Sequence, residues 1–203
     1  MVIAAGLMSR RKWAMRARQS IIGGELHMKR ILITGIAGGV LGAVLFWVYQ
    51  VNFQGTTITN FIGAQIVRQG GYSLPPAVFG WGVHLGVGLS YAFLLALISV
   101  YLLPRHFVLN RTLLLAAALV LGWLTTLIAA PAIQITISIL AAKGFPAKLW
   151  PLNPASGHPL WNHLLFFVIV WAIDTGAAFY SKDDGGGELV AKAPGVSEQV
   201  ARG

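Results

Sequence analysis

Four long stretches of this chain contain no charged side chain, and they constrain its fold more than any other feature. Asp, Glu, Lys and Arg are absent between Arg30 and Arg68, Arg68 and Arg105, Arg111 and Lys143, and Lys148 and Asp174. A helix needs about 20 apolar residues to cross the hydrocarbon core of a bilayer. The intervals therefore predict four membrane spans: Ile31–Tyr49, Phe79–Leu103, Thr112–Pro131 and Leu160–Tyr180.

The composition indicates the same class. Of the 203 residues, 56% are hydrophobic and 10% are charged, whereas a soluble domain has about 25% charged residues. This excludes an ordinary soluble enzyme and a disordered chain. The net charge of +9 would suit nucleic acid, but its placement beside apolar runs favours the lipid bilayer as the partner. Because residues 113–121 are continuously apolar rather than alternating, the prediction is an all-α bundle and not a β-barrel.

Basic residues set the predicted topology. Seven of the fifteen Lys and Arg residues precede the first span, and Lys and Arg concentrate on the cytoplasmic side of membrane proteins. The turn from Arg105 to Arg111 is also basic, and Lys182 follows the last span. We therefore expect both termini inside, in a multi-pass protein of the bacterial inner membrane. The third span can continue to Ile139 with a kink at Pro131.

The chain ends differ from the predicted four-helix domain at 28–182. Residues 1–27 form a basic arm, for which a lipid-binding segment and a targeting peptide are two interpretations. A third is that they are not translated, because codons for Gly23-Gly24-Glu25 can spell a bacterial ribosome-binding sequence before a start at Met28. Residues 183–203 predict a disordered cytoplasmic tail.

The two loops predicted outside differ in character. In the first, the apolar residues Ile58, Phe61, Ile62, Ile66 and Val67 share one helical face. This spacing predicts a short helix in the membrane interface, and a loop packed on the bundle is the alternative. The second loop, 143–162, holds four prolines and two tryptophans, which favour a fixed non-helical cover. We expect Asn110 to cap the third span.

Glycines on two spans predict close helix packing. The first span carries Gly35, Gly38, Gly39 and Gly42, and the second carries Gly82 and Gly86. Pairs of small residues four apart let helix backbones approach closely in lipid. The sequence leaves open whether these faces pack within the bundle or against another subunit.

Three ionisable residues lie at membrane depth. Asp174 is about 9 Å from the end of the fourth span at ~1.5 Å per residue, where a carboxylate costs about 2.5–3.5 kcal/mol to insert. His84 and His163 lie near the outer ends of the second and fourth spans. They would share one depth if their helix faces met.

These residues support three hypotheses. The first is a haem b or metal site ligated by His84 and His163, and the second is a proton or ion path that uses Asp174 and the same two histidines. The third, which we prefer, is structural: the histidines bond loop carbonyls, and Asp174 bonds a neighbour such as Ser99 or a cation of a partner subunit.

No catalytic motif accompanies these residues. The chain has no Cys, no phosphate-binding glycine loop followed by Lys, no His-Glu-x-x-His and no Gly-x-Ser-x-Gly. We therefore expect no enzyme activity and no cofactor. The leading hypothesis is a non-catalytic subunit or assembly factor of a larger bacterial membrane complex, with electron transport suggested by the paired histidines and the aromatic residues. The alternatives are a small transporter or channel using Asp174 and a haem b electron carrier, and a homo-oligomer also stays open.

Overall fold

The chain folds into a bundle of membrane-spanning helices. The structure, a computed structural model, describes residues 24–25, 27–104 and 106–191, with side chains as far as Phe179. Within these residues, the helices long and apolar enough to cross a membrane are α1 (His27–Phe53), α3 (Pro76–Leu102), α4 (Phe107–Leu140) and the part Gly157–Phe179 of α5. A shorter helix, α2 (Ile58–Gly70), connects α1 to α3. The predicted all-α four-helix membrane architecture is confirmed.

Several helices extend beyond the predicted spans. The helix α4 begins at Phe107 rather than Thr112 and continues past Pro131 to Leu140. Likewise, α5 reaches Ala191, into the segment predicted to be disordered. Each added residue extends an existing helix without a new nucleation cost. The hypotheses on residues 1–23 and 192–203 fall outside the described residues.

The cap of α4 is a correction to the sequence analysis. The residue before the helix is His106, whose side chain accepts a hydrogen bond from the backbone N–H of Leu109. Asn110, which was expected to be the cap, lies inside the first turn and is buried. Because the helix starts earlier than its apolar run, Asn110 and its neighbour Arg111 are carried into the bundle.

The short helix α2 packs on the ends of α3 and α4. It begins at the Thr57 cap, which accepts a hydrogen bond from Asn60 N–H, and ends at Gly71, whose φ of 67° is left-handed. Its apolar face buries Ile62 and Ile66 against Ile137 of α4. This end of the bundle is called the α2 end, and the opposite end is called the Arg30 end.

Glycines allow α2 and α3 to cross at backbone contact. A Cβ atom at Gly63 would overlap the carbonyl oxygen of Pro76, and one at Gly80 would overlap that of Thr59. Each helix therefore supplies a glycine at the point where the other approaches.

The four glycines of α1 divide between two neighbours. A Cβ atom at Gly35 would meet Phe93, and one at Gly39 would meet Leu89, both on α3. On the other side, Gly38 faces Val170 and Gly42 faces Phe166, both on α5. These four positions therefore pack inside the bundle, with α1 wedged between α3 and α5.

The loop between α4 and α5 is attached to α4 at Pro131. Proline has no N–H, so Pro131 leaves the carbonyl of Leu127, four residues earlier, without its helical donor. The backbone N–H of Asn153 donates to this carbonyl at 2.9 Å. Gln134 adds two bonds, donating to the Lys148 carbonyl at 3.0 Å and accepting from Trp150 N–H at 2.6 Å. Residues 141–156 contain no helix, and these contacts explain how a non-helical loop is held.

Gly80→Ala should destabilise the fold, whereas Gly82→Ala on the same helix should not. The added methyl group of Gly80→Ala overlaps the Thr59 backbone, but a Cβ atom at Gly82 meets nothing within 4 Å. Overpacking of this kind costs about 1–3 kcal/mol. Thermal unfolding in detergent measures both variants, and equal melting temperatures would contradict the described crossing of α2 and α3.

Gln134→Leu should loosen the loop 141–156 without unfolding the bundle. The variant loses two hydrogen bonds, each worth about 0.5–1.5 kcal/mol, while Asn153 keeps its bond to Leu127. We expect faster proteolytic cleavage of the loop in nanodiscs at an unchanged melting temperature. Thr112→Val is the control, because Thr112 bonds only the Val108 carbonyl of its own helix. An unchanged cleavage rate in Gln134→Leu would show that the side chain does not hold the loop.

Candidate functional site

A charged cluster lies buried at the Arg30 end of the bundle. At its centre is the side chain of Asp174, which is 0% exposed. Two guanidinium groups contact it, from Arg30 on α1 and Arg111 on α4. Their side chains are only 13% and 8% exposed. The cluster therefore joins three membrane helices through one carboxylate.

Arg30 donates hydrogen bonds to the Asp174 carboxylate from two of its guanidinium nitrogens. Its Nε donates to Oδ1 of Asp174 at 3.0 Å, and its Nη2 donates to Oδ2 at 2.6 Å. This two-point arrangement is the strong form of the arginine–carboxylate pair. The hydroxyl of Thr34, one turn further along α1, also donates to Oδ1 at 2.9 Å.

The second oxygen of Asp174 faces α3 and α4. Ser99 Oγ donates to Oδ2 at 2.9 Å, and Arg111 Nη1 also donates to this oxygen. The second terminal nitrogen of Arg111 donates to Ser99 Oγ at 2.9 Å. With α3 included, the cluster contains a side chain from each of the four membrane-spanning helices.

Asn110 and Trp171 hold the start of α4 in place. Asn110 Nδ2 donates to the carbonyls of Ser99 and Pro104 at 3.0 and 2.9 Å. Trp171 Nε1, on α5, donates to the Arg111 carbonyl at 3.0 Å. Both contacts fix the depth at which Arg111 enters the bundle.

Two hydroxyl groups of the cluster lie in π-helical turns. Thr34 begins the π turn Thr34–Gly38 of α1, and Ser99 lies in the π turn Ile98–Leu102 that ends α3. A π turn adds a residue to the helical repeat and so redirects the side chains around it. The two π turns are therefore local features that accompany the inward placement of Thr34 and Ser99.

The cluster is a buried ion-pair network in which the carboxylate is satisfied, whereas Arg111 Nε has no hydrogen-bond partner among the described residues. Two guanidinium groups and one carboxylate give it a formal charge of +1. Both carboxylate oxygens of Asp174 have donors. Along the same face of α5, Phe167 and Val170, both 0% exposed, lie between Asp174 and His163. An ion path from His163 to Asp174 would have to cross this apolar layer. The hypothesis of such a path stays a prediction.

Of the residues singled out in the sequence, Asp174 and Ser99 are brought into contact. From the sequence, Arg30 and Arg111 were assigned only to the flanks of the membrane spans. The signal that could have placed them is the depth of Asp174: a lone carboxylate in a membrane helix requires a cation, and these arginines are the basic residues nearest the span ends on that side.

His84 and His163 lie in the half of the bundle towards the α2 end. His84 Nε2 lies 2.9 Å from the Ala43 carbonyl, and His163 Nδ1 lies 2.8 Å from the Pro159 carbonyl. Phe46 packs edge-on against both imidazoles, with ring centroids 5.2 and 5.4 Å away. The structure thus brings both histidines to one aromatic ring. The hypothesis that they ligate a haem stays a prediction.

A cavity of about 780 Å³ adjoins these histidines. Its walls come from all five helices and from the loop before α5, which contributes Trp150 and Asn153. Its lining includes His84 and His163, but none of the cluster residues around Asp174. In the described part of the chain, no three His, Cys, Asp or Glu residues are grouped as a metal site.

The glycines of α3 predicted for packing have different surroundings from those of α1. Cβ atoms at Gly82 and Gly86 would meet nothing within 4 Å, and both residues are exposed. Ser90, one turn further along, is also exposed, and among the described residues it bonds only the Gly86 carbonyl of its own helix. These three positions, called the α3 small-residue face, point away from the bundle.

Comparisons with known proteins give no assignment: no family model, no curated protein and no solved structure matches the chain at a significant level.

Asp174→Asn should strongly destabilise the bundle. The substitution leaves Arg30 and Arg111 buried without a countercharge, and breaking a buried pair costs about 3–5 kcal/mol. Thermal unfolding in detergent, with size-exclusion chromatography, measures the loss.

The control for this experiment is the double variant Asp174→Asn with Arg111→Met. It removes one of the two uncompensated cations, so it should recover part of the lost stability. A melting temperature of Asp174→Asn equal to that of the unmodified chain would contradict a structural role for the ion pair.

Proposed function

We propose that this protein is a non-catalytic subunit or assembly factor of a larger complex in a bacterial inner membrane. The observation that carries the proposal is the α3 small-residue face of Gly82, Gly86 and Ser90, which no described residue of this chain covers. Electron transport is the candidate process, supported by the two histidines beside an aromatic-lined cavity.

Open glycines on a lipid-facing helix have an energetic cost. Glycine is about 0.8–1.0 kcal/mol less favourable than alanine inside a helix. The glycines of α1 offset this cost by close contacts with α3 and α5, whereas Gly82 and Gly86 gain no such contact within the described chain. A helix of another subunit packed on the α3 small-residue face would supply these contacts, because small residues permit the close approach that drives helix association in lipid.

The charged cluster bears on how a partner subunit would bind rather than on whether one exists. Asp174 is paired with Arg30 and Arg111 of its own chain, so it needs no cation from a partner subunit. Association with a partner would then depend on the shape of the helix surface rather than on an exchange of charges. The loop 141–156, held on α4 through Leu127 and Gln134, offers a second ordered surface at the α2 end.

The double variant Gly82→Leu with Gly86→Leu should release the protein from its complex. Both side chains fill open space, so the isolated chain should keep its melting temperature, but the larger side chains block close helix approach. The measurement is purification from native membranes in mild detergent, followed by a native gel and mass spectrometry of the bands.

Ala116→Leu on α4 is the matched control, because Ala116 is also exposed but lies outside the α3 small-residue face. The unmodified chain and this control should migrate with partner subunits at a fixed stoichiometry. Migration of the unmodified chain as a lone monomer or a homodimer would contradict the proposal.

A further inference from the structure

The cavity near His84 and His163 has the properties of a ligand site. At about 780 Å³, its volume falls within the 300–1,000 Å³ typical of small-molecule pockets. Its described walls contain no Asp, Glu, Lys or Arg. An ion or a phosphate-bearing head group would find no countercharge there, so the lining selects an uncharged occupant.

Polar groups on the cavity wall lack hydrogen-bond partners. The side chain of Asn162 is 1% exposed, and its Oδ1 is buried without a partner among the described residues. Gln54 Nε2, from the residue that follows α1 in the same lining, is also buried without a partner among the described residues. Buried amides are normally satisfied, so these two groups indicate that a polar ligand completes them.

The two histidines add hydrogen-bond acceptors to the same wall. A carbonyl oxygen only accepts, so the nitrogens that face Ala43 and Pro159 carry the hydrogen in the neutral rings. This tautomer leaves a lone pair on Nδ1 of His84 and on Nε2 of His163. A ligand that bears hydroxyl groups could donate to these nitrogens and to Asn162 Oδ1, and accept from Gln54 Nε2.

The cavity adjoins the lipid-facing surface between α3 and α4. Val87 on α3 and Ile128 on α4 line it, and they are 45% and 44% exposed. Exposed apolar side chains at this depth face the acyl chains of a bilayer. A ligand with a hydrocarbon tail could thus reach the cavity from the membrane, with its tail left between these residues.

Aromatic rings form part of the cavity wall. Phe46, Tyr91 and Phe166 line the cavity together with the two imidazoles. Aromatic rings pack well in edge-to-face or offset arrangements, which favours a flat ring as the head group over a flexible glyceride.

We infer that the cavity binds an uncharged, lipid-soluble molecule whose head is a hydroxylated ring, the chemical class of isoprenoid quinols. The ring lies between the histidines and Asn162, its hydroxyl groups bond these side chains, and its tail leaves between Val87 and Ile128. This site goes beyond the subunit role and does not depend on the α3 small-residue face.

The test uses the full chain in nanodiscs and 2-decylhydroquinone, kept reduced, as the probe. Binding is followed by quenching of tryptophan fluorescence, because Trp150 lines the cavity. The dimethyl ether of the probe, which has the same ring and tail but no O–H donor, should bind about 10-fold more weakly. Dioleoylglycerol should also bind more weakly than the probe.

Two variants and one control locate the binding. Asn162→Leu removes an unsatisfied buried amide, so it should fold at least as stably and bind the probe about 10-fold more weakly. Val87→Phe, at an exposed position, should narrow the opening between α3 and α4 and weaken binding. Asn52→Leu is the matched control, since Asn52 is exposed and bonds only the Val48 carbonyl of its own helix, and it should bind as the unmodified chain does.

Each contrary result has a definite meaning. Equal affinity for the probe and its dimethyl ether would overturn the hydroxyl recognition, and tighter binding of dioleoylglycerol would overturn the ring. Absence of saturable binding to the unmodified chain, or unchanged affinity in both folded variants, would overturn the site itself. Because the purified chain is used alone, failure of this test leaves the association with a partner complex unaffected.

Discussion

The carboxylate of Asp174 is the interaction on which the arrangement of the four membrane helices depends. A charge at this depth is tolerated only when protein groups replace water, and here each of the other three membrane-spanning helices supplies one or more of them. Arg30 and Thr34 come from α1, Ser99 from α3, and Arg111 from α4. Because each bond requires a particular helix rotation, the cluster fixes which faces of the four helices point inward at this end.

Glycine contacts provide the rest of the packing, and they differ in origin from the charged cluster. The ion pair acts over one turn of each helix at the Arg30 end. At mid-depth and towards the α2 end, the glycines of α1 and the crossing of Gly63 with Gly80 set how closely the backbones approach. The bundle is therefore tight where glycines meet, and it leaves a cavity whose walls come from all five helices.

The sequence predicts the fold well because membrane spans depend on a single strong constraint, the exclusion of charge. The positions of α2 and of the non-helical loop 141–156 also follow from apolar spacing and from proline content. The exact start of α4 could not be predicted, since a charged residue one turn inside a helix looks the same in sequence as one that flanks it.

For the same reason, most of the charged cluster could not be predicted from the sequence. Arg30 and Arg111 were read as flanking charges, yet both guanidinium groups turn inward to Asp174. The π turns at Thr34 and Ser99 have no clear sequence signature, so their part in the charged cluster could not be predicted from the sequence either. By contrast, the contact of Ser99 with Asp174 could be anticipated because a hydroxyl is the smallest donor available at matching depth.

The position of Asp174 in the chain has a consequence for biogenesis. The helices that carry Arg30 and Arg111 are synthesised before α5, so a growing chain holds two uncompensated cations that can still act as topological anchors for insertion. When α5 enters the bilayer, the Asp174 carboxylate reaches Arg30 and Arg111. The two arginines then become part of an internal ion pair. A nascent chain stalled before α5 would therefore lack the carboxylate partner of both guanidinium groups.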